Sequence, residues 1–484
     1  MVDRSANRAS DLPGRRVVVV GSGLAGLSCA AELVNHQVQV TLLTPGRLGR
    51  DGATQRVHVL APWILINAPC QRGDSPDRFF HDLLAAGKGL HRPGVTEVFA
   101  EEAPRAAHEL LELLDLVPLG EKPVLLPGNS LPRGRRCLPR GRRLLLHRLV
   151  TAIAGQVGVH ERALAVGFQM AGERLVGVWA WHRPTEALQL HRADAVVLAC
   201  GGVGAVFPAS TGPRWCRGSA LALGSLASAL LHNPHVTQAL PVLGVPPVYF
   251  PTTAALLKAL VGVGEKVLPP VSDLESLTQL LAAALRAGQR AWVELAPGDE
   301  ELLPSWVREI PRASTSPRFP LTLAVHHGVG GVAIDSWGRT SVPGLYACGE
   351  AAGGVQGAKR LMGTGLLEAR VFGKRAARAV IHDLPKRDPV SEKDGVPRLV
   401  PCPVDTAELE LHLDQWMGAL AVIRPKDEVD SYLRLLARWP QTAREESLRT
   451  WLAAIRRAAA QAILMAQQKA LASQGEEVPR ELAG

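Results

Sequence analysis

Residues 324 to 354, AVHHGVGGVAIDSWGRTSVPGLYACGEAAGG, combine paired histidines, a glycine run, a short apolar strand and a second glycine cluster that carries Glu350. The pattern predicts a strand and a turn in GVAIDSWGRT, and a strand ending at the carboxylate in GLYACGEAA. The following GAKRLMGTGLLEARVFGKRAA begins a predicted helix, whose N-terminal backbone can face a negatively charged ligand. These residues predict one half of a nucleotide-binding site.

The other half is predicted near the N-terminus, in VVVVGSGLAGLSCA. Three glycines form the pattern G-x-G-x-x-G directly after a predicted strand and at the start of a predicted helix. The first glycine allows a tight turn, the second lets the backbone approach a pyrophosphate, and the third allows the helix to pack closely on the strand. The helix N-terminus offers unpaired N–H groups to the phosphate charge. The predicted cofactor contacts here are Gly21, Ser22, Gly23, Leu24, Ala25 and Gly26.

Two further positions complete the predicted nucleotide site. The second strand ends at Thr44, where a dinucleotide site usually carries an acidic residue that binds a ribose. A hydroxyl can still accept one ribose hydrogen bond, although this departure makes a nicotinamide cofactor less favoured. The apolar strand AVVLA leads to the glycine pair Gly201 and Gly202, which is predicted to contact the cofactor.

The elements that position these residues follow a strand, glycine turn, helix, strand order at the N-terminus, which is a βαβ unit. The same sheet should include the strand before Gly201, and residues 174 to 202 predict a hairpin that feeds it. Proline-rich loops and short amphipathic pieces interrupt this pattern before residue 326. The predicted domains are the nucleotide-binding domain in two parts (1–230 and 326–385), an inserted domain (231–325), a linker (386–404) and a helical C-terminal domain (405–484).

Composition places the chain among ordinary globular proteins. Its 484 residues can bury a core without a disulfide or metal, and 47% hydrophobic with 20% charged residues is typical of a soluble protein. The sequence has no apolar run long enough for a membrane span and no signal-peptide pattern, which favours the cytoplasm. Seven scattered cysteines without a C-x-x-C pair suggest neither a disulfide framework nor a metal site.

The formal net charge of +9 arises partly from RGRRCLPRGRRLLLHR, residues 133 to 148. This arginine-rich segment could attract an anionic partner, or it could be the solvated face of a helix. No aromatic residues interleave with its arginines and no nucleic-acid motif accompanies it, so a nucleic-acid partner is not expected.

Several motifs together resemble the flavoprotein family that contains fumarate reductase, succinate dehydrogenase and L-aspartate oxidase. The succession is G-G-V-x-x-D-x-x-G-R-T, then G-L-Y-A-x-G-E-A, then G-A-x-R-L and L-L-E, all in the C-terminal half. Residues 73–90, 101–113, 196–204 and, more faintly, 413–424 also look like family segments in the family's order. The resemblance covers most of the chain and is nearest to L-aspartate oxidase.

The resemblance implies an α/β fold: a Rossmann-like FAD-binding domain interrupted by an α+β capping domain, with a C-terminal helical domain. It places Glu350 at the ribityl region of FAD, and the backbone near Gly365 and Leu366 at the isoalloxazine. It also implies that His326 and Arg360 bind the carboxylates of a small anionic substrate, an amino acid or dicarboxylate. The planar fork of arginine suits this role because it makes two charge-assisted bonds to one carboxylate.

The sequence departs from the family where substrate chemistry is expected. Leu240 replaces the family's substrate histidine, and Lys258 replaces the glutamate that faces the substrate. The proton-shuttling arginine of the family corresponds to Leu274, with Arg286 the nearest arginine downstream. Because a positioned proton donor contributes roughly a hundred- to ten-thousand-fold to rate, fumarate or succinate turnover should suffer.

Flavin attachment is predicted to be non-covalent, because Ala53 stands where the membrane enzymes of the family carry a flavin-linking histidine. His58 lies nearby, but attachment through it is not expected.

Three flavin-dependent functions remain open from the sequence, whereas a nicotinamide dehydrogenase is less favoured because only one G-x-G-x-x-G is present. The first is an FAD-dependent oxidoreductase resembling L-aspartate oxidase, reoxidised by oxygen or fumarate. The second keeps the FAD and acts on a different anionic substrate, which Lys258 could bind by its charge. The third is a flavin-binding partner or regulatory homologue without turnover of its own.

Overall fold

The structure is a computed structural model that describes residues 14–56, 63–140, 145–244, 253–271, 273–296, 299, 303, 318–384, 395–403, 406–418, 426–439 and 447–473. The strands in chain order are β1 (Arg16–Val20), β2 (Gln39–Thr44), β3 (Ile64–Asn67), β4 (Leu116–Pro118), β5 (Gly134–Pro139), β6 (Val157–Glu161), β7 (Ala163–Ala171), β8 (Arg174–His182), β9 (Ala187–Arg192), β10 (Ala195–Leu198), β11 (Leu231–His232), β12 (Thr237–Leu243), β13 (Leu260–Val263), β14 (Lys266–Val267), β15 (Ala291–Glu294), β16 (Arg318–Gly328), β17 (Gly331–Ala333), β18 (Leu345–Ala347), β19 (Ala352–Gly353) and β20 (Val396–Leu399). The helices are α1 (Leu24–Val34), α2 (Ala53–Arg56), α3 (Pro76–Gly87), α4 (Pro93–Leu113), α5 (His147–Ile153), α6 (Ser219–Leu226), α7 (Thr253–Lys258), α8 (Leu274–Arg286), α9 (Gly365–Asp383), α10 (Thr406–Gly418), α11 (Lys426–Arg438) and α12 (Leu448–Ser473).

A five-stranded parallel sheet forms the centre of the nucleotide-binding part, in the order β18-β10-β1-β2-β6. The valines of β1 are buried, as expected for a strand covered on both faces. Helix α1 returns the chain from β1 to β2, so the predicted βαβ unit is confirmed. The prediction that the strand before Gly201 joins this sheet is also confirmed, because β10 pairs with β1.

Helices α1 and α9 pack closely beside this sheet because glycines stand where they meet. A Cβ atom on Gly373 of α9 would lie 2.6 Å from the backbone oxygen of Ala25 in α1. The close approach brings the N-terminal glycine turn next to the chain segment that follows residue 326. Two parts of the nucleotide-binding domain that are distant in sequence thereby form one unit.

A second, antiparallel sheet has the order β20-β7-β8-β9. Strands β8 and β9 are the predicted hairpin of residues 174 to 202, and the chain continues from β9 into β10 of the parallel sheet. The prediction for this hairpin is confirmed.

The inserted segment forms a five-stranded antiparallel sheet, β12-β16-β15-β13-β14, with α8 packed against it. A separate apolar core holds this unit together, and Leu277, Leu281, Val293 and Phe319 are buried in it. The unit is therefore the predicted α+β capping domain. Strand β16 runs continuously past residue 325, so this part of the sheet extends into the segment that carries the paired histidines.

Helices α10, α11 and α12 form the C-terminal helical region, as predicted. The guanidinium of Arg456 in α12 is buried, and it donates to the backbone oxygen of Val206 and to the carboxylates of Glu410 and Asp414. These contacts attach the helical region to the nucleotide-binding part. Within the described ranges, no helix is both long and apolar enough to cross a membrane.

Candidate active site

A cavity of about 770 Å³ lies at the carboxyl ends of the parallel strands β1, β2, β10 and β18. Ligands of open α/β sheets bind at this edge, where strand order reverses. Most of the predicted site residues line the cavity, namely Gly21, Ser22, Gly23, Leu24, Ala25, Thr44, Gly201, His326, Glu350, Arg360, Gly365 and Leu366. Gly26 and Gly202 do not line it.

Gly21 and Gly26 form the turn between β1 and α1. Gly21 has φ of +116°, and a Cβ atom there would lie 2.2 Å from the backbone oxygen of Ala199. A Cβ atom on Gly26 would lie 2.0 Å from the backbone oxygen of Gly21. The packing expected of the third glycine is thus present, which explains why Gly26 lies behind the cavity rather than in its wall.

The hydroxyls of Ser22 and Thr44 face each other across the nucleotide end of the cavity. Ser22 Oγ lies 2.9 Å from Thr44 Oγ1, and both side chains are buried. A hydroxyl offers one donor and two acceptor positions, so Thr44 keeps capacity for a further hydrogen bond. Helix α1 begins after Gly23 without a side-chain cap, and its first turn carries no acidic residue. These features favour an anionic group at the helix N-terminus.

Glu350 lies against Gly202, at the end of β18. A Cβ atom on Gly202 would lie 2.1 Å from Glu350 Oε1, so only glycine allows this approach. The same oxygen accepts a hydrogen bond of 2.8 Å from the N–H of Gly328. Burial raises the pKa of Glu350 to about 7, although this hydrogen bond and Arg360 oppose the rise. The carboxyl therefore titrates near neutral pH in the protein.

The paired histidines sit at an irregularity in the pairing of β12 with β16. Gln238 pairs with His327 and Ala239 with Val325, which leaves His326 in the bulge. His326 Nδ1 is 2.9 Å from the hydroxyl of Thr211, and both histidines line the cavity. The bulge allows two consecutive residues of a strand to face one site.

Both imidazoles are uncharged at neutral pH. Burial lowers the pKa of His326 to about 3, and the positive charge of Arg360 contributes to this fall. Burial and Arg360 also hold the pKa of His327 well below its usual value. The 3.6 Å contact between His327 Nδ1 and Glu350 Oε2 is therefore not an ion pair. The histidines can donate hydrogen bonds to a ligand without carrying charge.

Arg360 provides a buried cation at the cavity wall, with only 7% of its surface exposed. Its Nε donates to Gln238 Oε1 at 3.2 Å, while the Gln238 amide donates to the backbone oxygen of Arg360. Burial lowers the pKa of the guanidinium, and Glu350 and Glu368 partly offset this effect. Among the residues that the structure describes, none forms an ion pair with Arg360. A ligand carboxylate could therefore form a direct ion pair with this guanidinium.

The positions that depart from the family do not contribute polar groups. Leu240 is buried and lines the cavity, together with Leu257. Lys258 is exposed and lies outside the cavity wall, so the structure does not support the idea that it binds an anionic substrate. Leu274 and Arg286 lie at opposite ends of α8, and neither lines the cavity. His58 lies outside the described residues, whereas Ala53 lines the cavity.

Several residues that line the cavity were not predicted from the sequence, because they come from elements that are distant along the chain. Trp63 and Arg136 line the cavity together, and the Arg136 guanidinium lies 4.7 Å from the centroid of the Trp63 ring. Thr211 and Trp215 contribute from the loop after β10. Their types and spacing match no motif, so no local signal could have singled them out.

The arginine-rich segment, residues 133 to 148, is partly strand rather than helix. Arg133 is fully buried and binds the carboxylates of Asp74 and Asp82. Residues 134–139 are β5, while 141–144 lie outside the described ranges. Arg133 is therefore not available to a partner, and an anionic partner for the rest of the segment stays a prediction.

The fold and site define a flavoprotein-type nucleotide-binding domain with a capping domain over the cavity. Comparison with known proteins agrees: the family described as FAD binding domain matches residues 16–261 and 276–366. L-aspartate oxidase of Caulobacter vibrioides is 32% identical over 395 residues, covering 75% of each chain. A fumarate reductase (CoM/CoB) chain of Methanothermobacter marburgensis is 25% identical and covers 86% of this chain and 83% of that protein. The solved structure of Mycobacterium smegmatis Sdh1 in complex with UQ1 has a TM-score of 0.78 at 22% identity, covering 94% and 86% of the two chains.

The chain therefore belongs to the fumarate reductase/succinate dehydrogenase flavoprotein family, and L-aspartate oxidases are among its relatives. The cofactor of this family is FAD. The cavity fits it in chemistry, because glycine backbone and an uncapped helix N-terminus face the nucleotide end while apolar and aromatic walls line much of the remainder. The chain is an FAD-dependent oxidoreductase by family.

Proposed function

We propose that the protein transfers a hydride from a small amino acid or dicarboxylate to FAD, in the manner of L-aspartate oxidase, and that oxygen or fumarate reoxidises the flavin. The single observation that supports this most is Arg360, a buried guanidinium at the cavity wall without an ion-pair partner among the described residues. Glu350 and Glu368 act on its charge electrostatically but make no direct ion pair with it, and burying a charge without a direct partner is costly, so its position favours a role in binding an anion. FAD supplies the acceptor of two electrons when it is bound.

Gly21, Ser22, Gly23 and Thr44 would hold the nucleotide half of FAD, with Gly26 setting the turn behind them. Glu350 would face the ribityl region, and the backbone at Gly365 and Leu366 the isoalloxazine. Attachment is proposed to be non-covalent, since Ala53 has no group that can form the link. Leu24, Ala25 and Gly201 complete the proposed contacts, whereas Gly202 does not line the cavity and instead gives room to the Glu350 side chain.

The substrate would be oriented by its carboxylate. Arg360 would bind it with charge-assisted hydrogen bonds, while Gln238 holds the Arg360 side chain by the two hydrogen bonds between them. His326 would donate from Nε2 if Thr211 donates to Nδ1, which would fix the tautomer. The apolar walls near Leu240 and Leu257 would exclude water from the reacting carbon.

A second candidate is a flavoenzyme that acts on a different anionic substrate. The observation that favours it is the apolar wall formed by Leu240 and Leu257, because neither of these side chains can bind a second substrate carboxylate. An anion with one carboxylate and an apolar group would match both Arg360 and these leucines. The third function, a flavin-binding partner without turnover, has no specific feature of the cavity in its favour.

The test is an anaerobic titration of the purified flavin-bound protein, followed by flavin absorbance. L-aspartate, succinate and L-leucine are compared, with D-aspartate as the stereochemical control. Bleaching by L-aspartate supports the first proposal, and bleaching by L-leucine alone supports the second. If the flavin stays oxidised with all of these ligands, both proposals fail as stated and a role without turnover is favoured.

A further inference from the structure

Three histidines meet outside the cavity, on strands from two different sheets. His160 belongs to β6 at the edge of the parallel sheet, whereas His182 and His191 belong to β8 and β9 of the antiparallel sheet. One ring nitrogen of each lies within 4.8 Å of those of the other two. None of the three lines the flavin cavity, so the proposed oxidoreductase reaction leaves them without a role.

Backbone pairing brings two of the three histidines, His160 and His182, close together. His182 pairs with Ala163, which lies just beyond the turn that follows β6, and the N–H of Arg183 donates to the backbone oxygen of Arg162 at 3.0 Å. The ring centroids lie 4.6 Å apart for His160 and His191, and 5.4 Å apart for His160 and His182. Main-chain pairing thus holds His182 next to the end of β6, whereas His191 pairs with Val178 of β8 and reaches the cluster through its side chain.

We propose that His160, His182 and His191 bind one divalent first-row transition-metal ion, such as Zn²⁺. Three neutral imidazoles on a fixed framework are a known donor set for Zn²⁺, and water takes the fourth position of the tetrahedron. Borderline metals prefer imidazole, whereas Mg²⁺ and Ca²⁺ prefer oxygen ligands, so the site selects against those two ions. His182 is buried, while the other two rings are half-buried and leave an approach for the ion.

For His182 and His191, metal binding requires only a small adjustment, whereas the His160 nitrogen, which lies within 4.8 Å of the other two, has to move closer to them. Nε2 of His182 and Nε2 of His191 are 2.8 Å apart, close enough for a hydrogen bond between the two rings. Tetrahedral Zn²⁺ with bonds of about 2.0–2.1 Å holds two ligand nitrogens roughly 3.3 Å apart. The two nitrogens therefore separate by roughly half an ångström, which small side-chain rotations can provide. The alternative role for the cluster is this inter-ring hydrogen bond alone.

A bound ion would join the edge of one sheet to the other. In β6, His160 pairs with Leu43 of β2 and Glu161 pairs with Thr44, the residue at the nucleotide end of the cavity. The metal would thus hold the edge strand next to that end. Its effect would be on the stability of this part of the fold, and it would take no part in hydride transfer.

The experiment uses the flavin-bound chain without an affinity tag, stripped of metal by a chelator. Zn²⁺ is titrated by calorimetry, Co²⁺ by its visible ligand-field bands at wavelengths beyond the flavin absorbance, and the melting temperature is measured with and without Zn²⁺. We expect one ion per chain, a rise in melting temperature, and the Co²⁺ spectrum of a tetrahedral nitrogen site. His160→Gln and His191→Gln should each weaken Zn²⁺ binding at least about tenfold, since even loss of an outer-shell partner costs roughly 10–100-fold.

His108→Gln is the matched control, because His108 is an exposed histidine on α4 whose nearest ionic partner is Glu112. It should leave Zn²⁺ binding unchanged. Retained flavin shows that each variant is folded. The proposal is overturned if the parent chain binds no Zn²⁺ or Co²⁺, or if folded His160→Gln and His191→Gln bind Zn²⁺ as tightly as the parent, which would place the ion elsewhere.

Discussion

The two ends of the cavity are built in different ways. At the nucleotide end, the wall is largely backbone: Gly21 lines it, and behind it Gly26 and Gly202 make contacts that a Cβ atom would prevent. At the end beside the capping sheet, side chains from several elements form the wall, and Leu240 and Arg360 set its polarity. A backbone wall tolerates few substitutions, whereas a side-chain wall can change its chemistry while the fold persists. This difference explains how the chain can retain an FAD site while departing from its family at the substrate.

The backbone wall is tested most severely at Gly21. In Gly21→Ala, the new Cβ atom meets the backbone oxygen of Ala199, and the φ of +116° is unfavourable for alanine. We expect loss of bound FAD and a fall of about 3 kcal/mol in the free energy of unfolding. Flavin absorbance and urea titration measure the two effects.

Gly14→Ala is its control, because Gly14 also has a positive φ but no atom lies within 4 Å of the added Cβ. Only the conformational cost of about 1 kcal/mol should remain, with normal flavin content. Full flavin occupancy in Gly21→Ala would show that the backbone wall is not needed.

Arg360 is the cation at the end of the cavity beside the capping sheet. Removing it should slow flavin reduction without lowering the free energy of unfolding. Arg360→Met leaves flavin content unchanged but slows flavin reduction by the substrate roughly 100-fold, the cost of truncating one partner of a buried charge pair. The free energy of unfolding should not fall, because an unpaired buried charge is replaced by an apolar, unbranched side chain. Stopped-flow reduction and urea titration are the measurements.

Arg140→Met is the matched control, since Arg140 is exposed and 4.0 Å from Asp115. It should match the parent in both assays. A large loss of stability in Arg360→Met would show that the guanidinium has a structural role instead.

Glu350 lies between the two ends of the cavity, and its contribution to the stability of the protein depends on pH. Its pKa of about 7 in the folded chain lies above the usual 4.5, so its contribution to stability is fully present below pH 4.5 and is lost as pH rises through 7. The amide side chain in Glu350→Gln does not ionise, so the stability of that variant lacks this dependence on pH. Between about pH 4.5 and 8, the free energy of unfolding of the parent should therefore fall by about 3 kcal/mol relative to that of Glu350→Gln, since each pKa unit corresponds to about 1.4 kcal/mol.

Urea titrations of the flavin-free chain at several pH values measure this difference, and Glu112→Gln controls for removing an exposed carboxyl. A difference that stays constant with pH would mean that Glu350 is ionised throughout this range.

Restoring the family residue at Leu240 should have the smallest effect. Leu240→His places a donor in the apolar wall, so reduction by L-aspartate should become about tenfold more efficient relative to reduction by L-leucine. The buried imidazole should cost about 1–2 kcal/mol of stability. The ratio of the two kcat/KM values measures the change, and the exposed Leu230→His is the control. An unchanged ratio would mean that the side-chain carboxylate of L-aspartate binds elsewhere in the cavity.

Local patterns were sufficient for the nucleotide end because its chemistry follows from short spacings within one βαβ unit. The glycine fingerprint and the strand ending at Thr44 could be predicted from these spacings, whereas the role of Glu350 at the end of β18 came from the family resemblance; all of them line the cavity except Gly26. The family resemblance supplied His326 and Arg360, which also reach the cavity. Lys258, to which the sequence could assign an anion, lies outside the cavity wall although Leu257 lines it, because adjacent positions of a short helix face in different directions.

The sequence by itself determined the α/β class, the capping insertion and the backbone that receives the nucleotide, because periodicity and glycine spacing act over a few residues. Only the tertiary structure decided which side chains share a wall: it placed both His326 and His327 at the cavity through a bulge, and stacked Arg136 on Trp63. It also brought His160, His182 and His191 together from two sheets. Such contacts join residues that are distant along the chain, and their geometry depends on how whole elements pack.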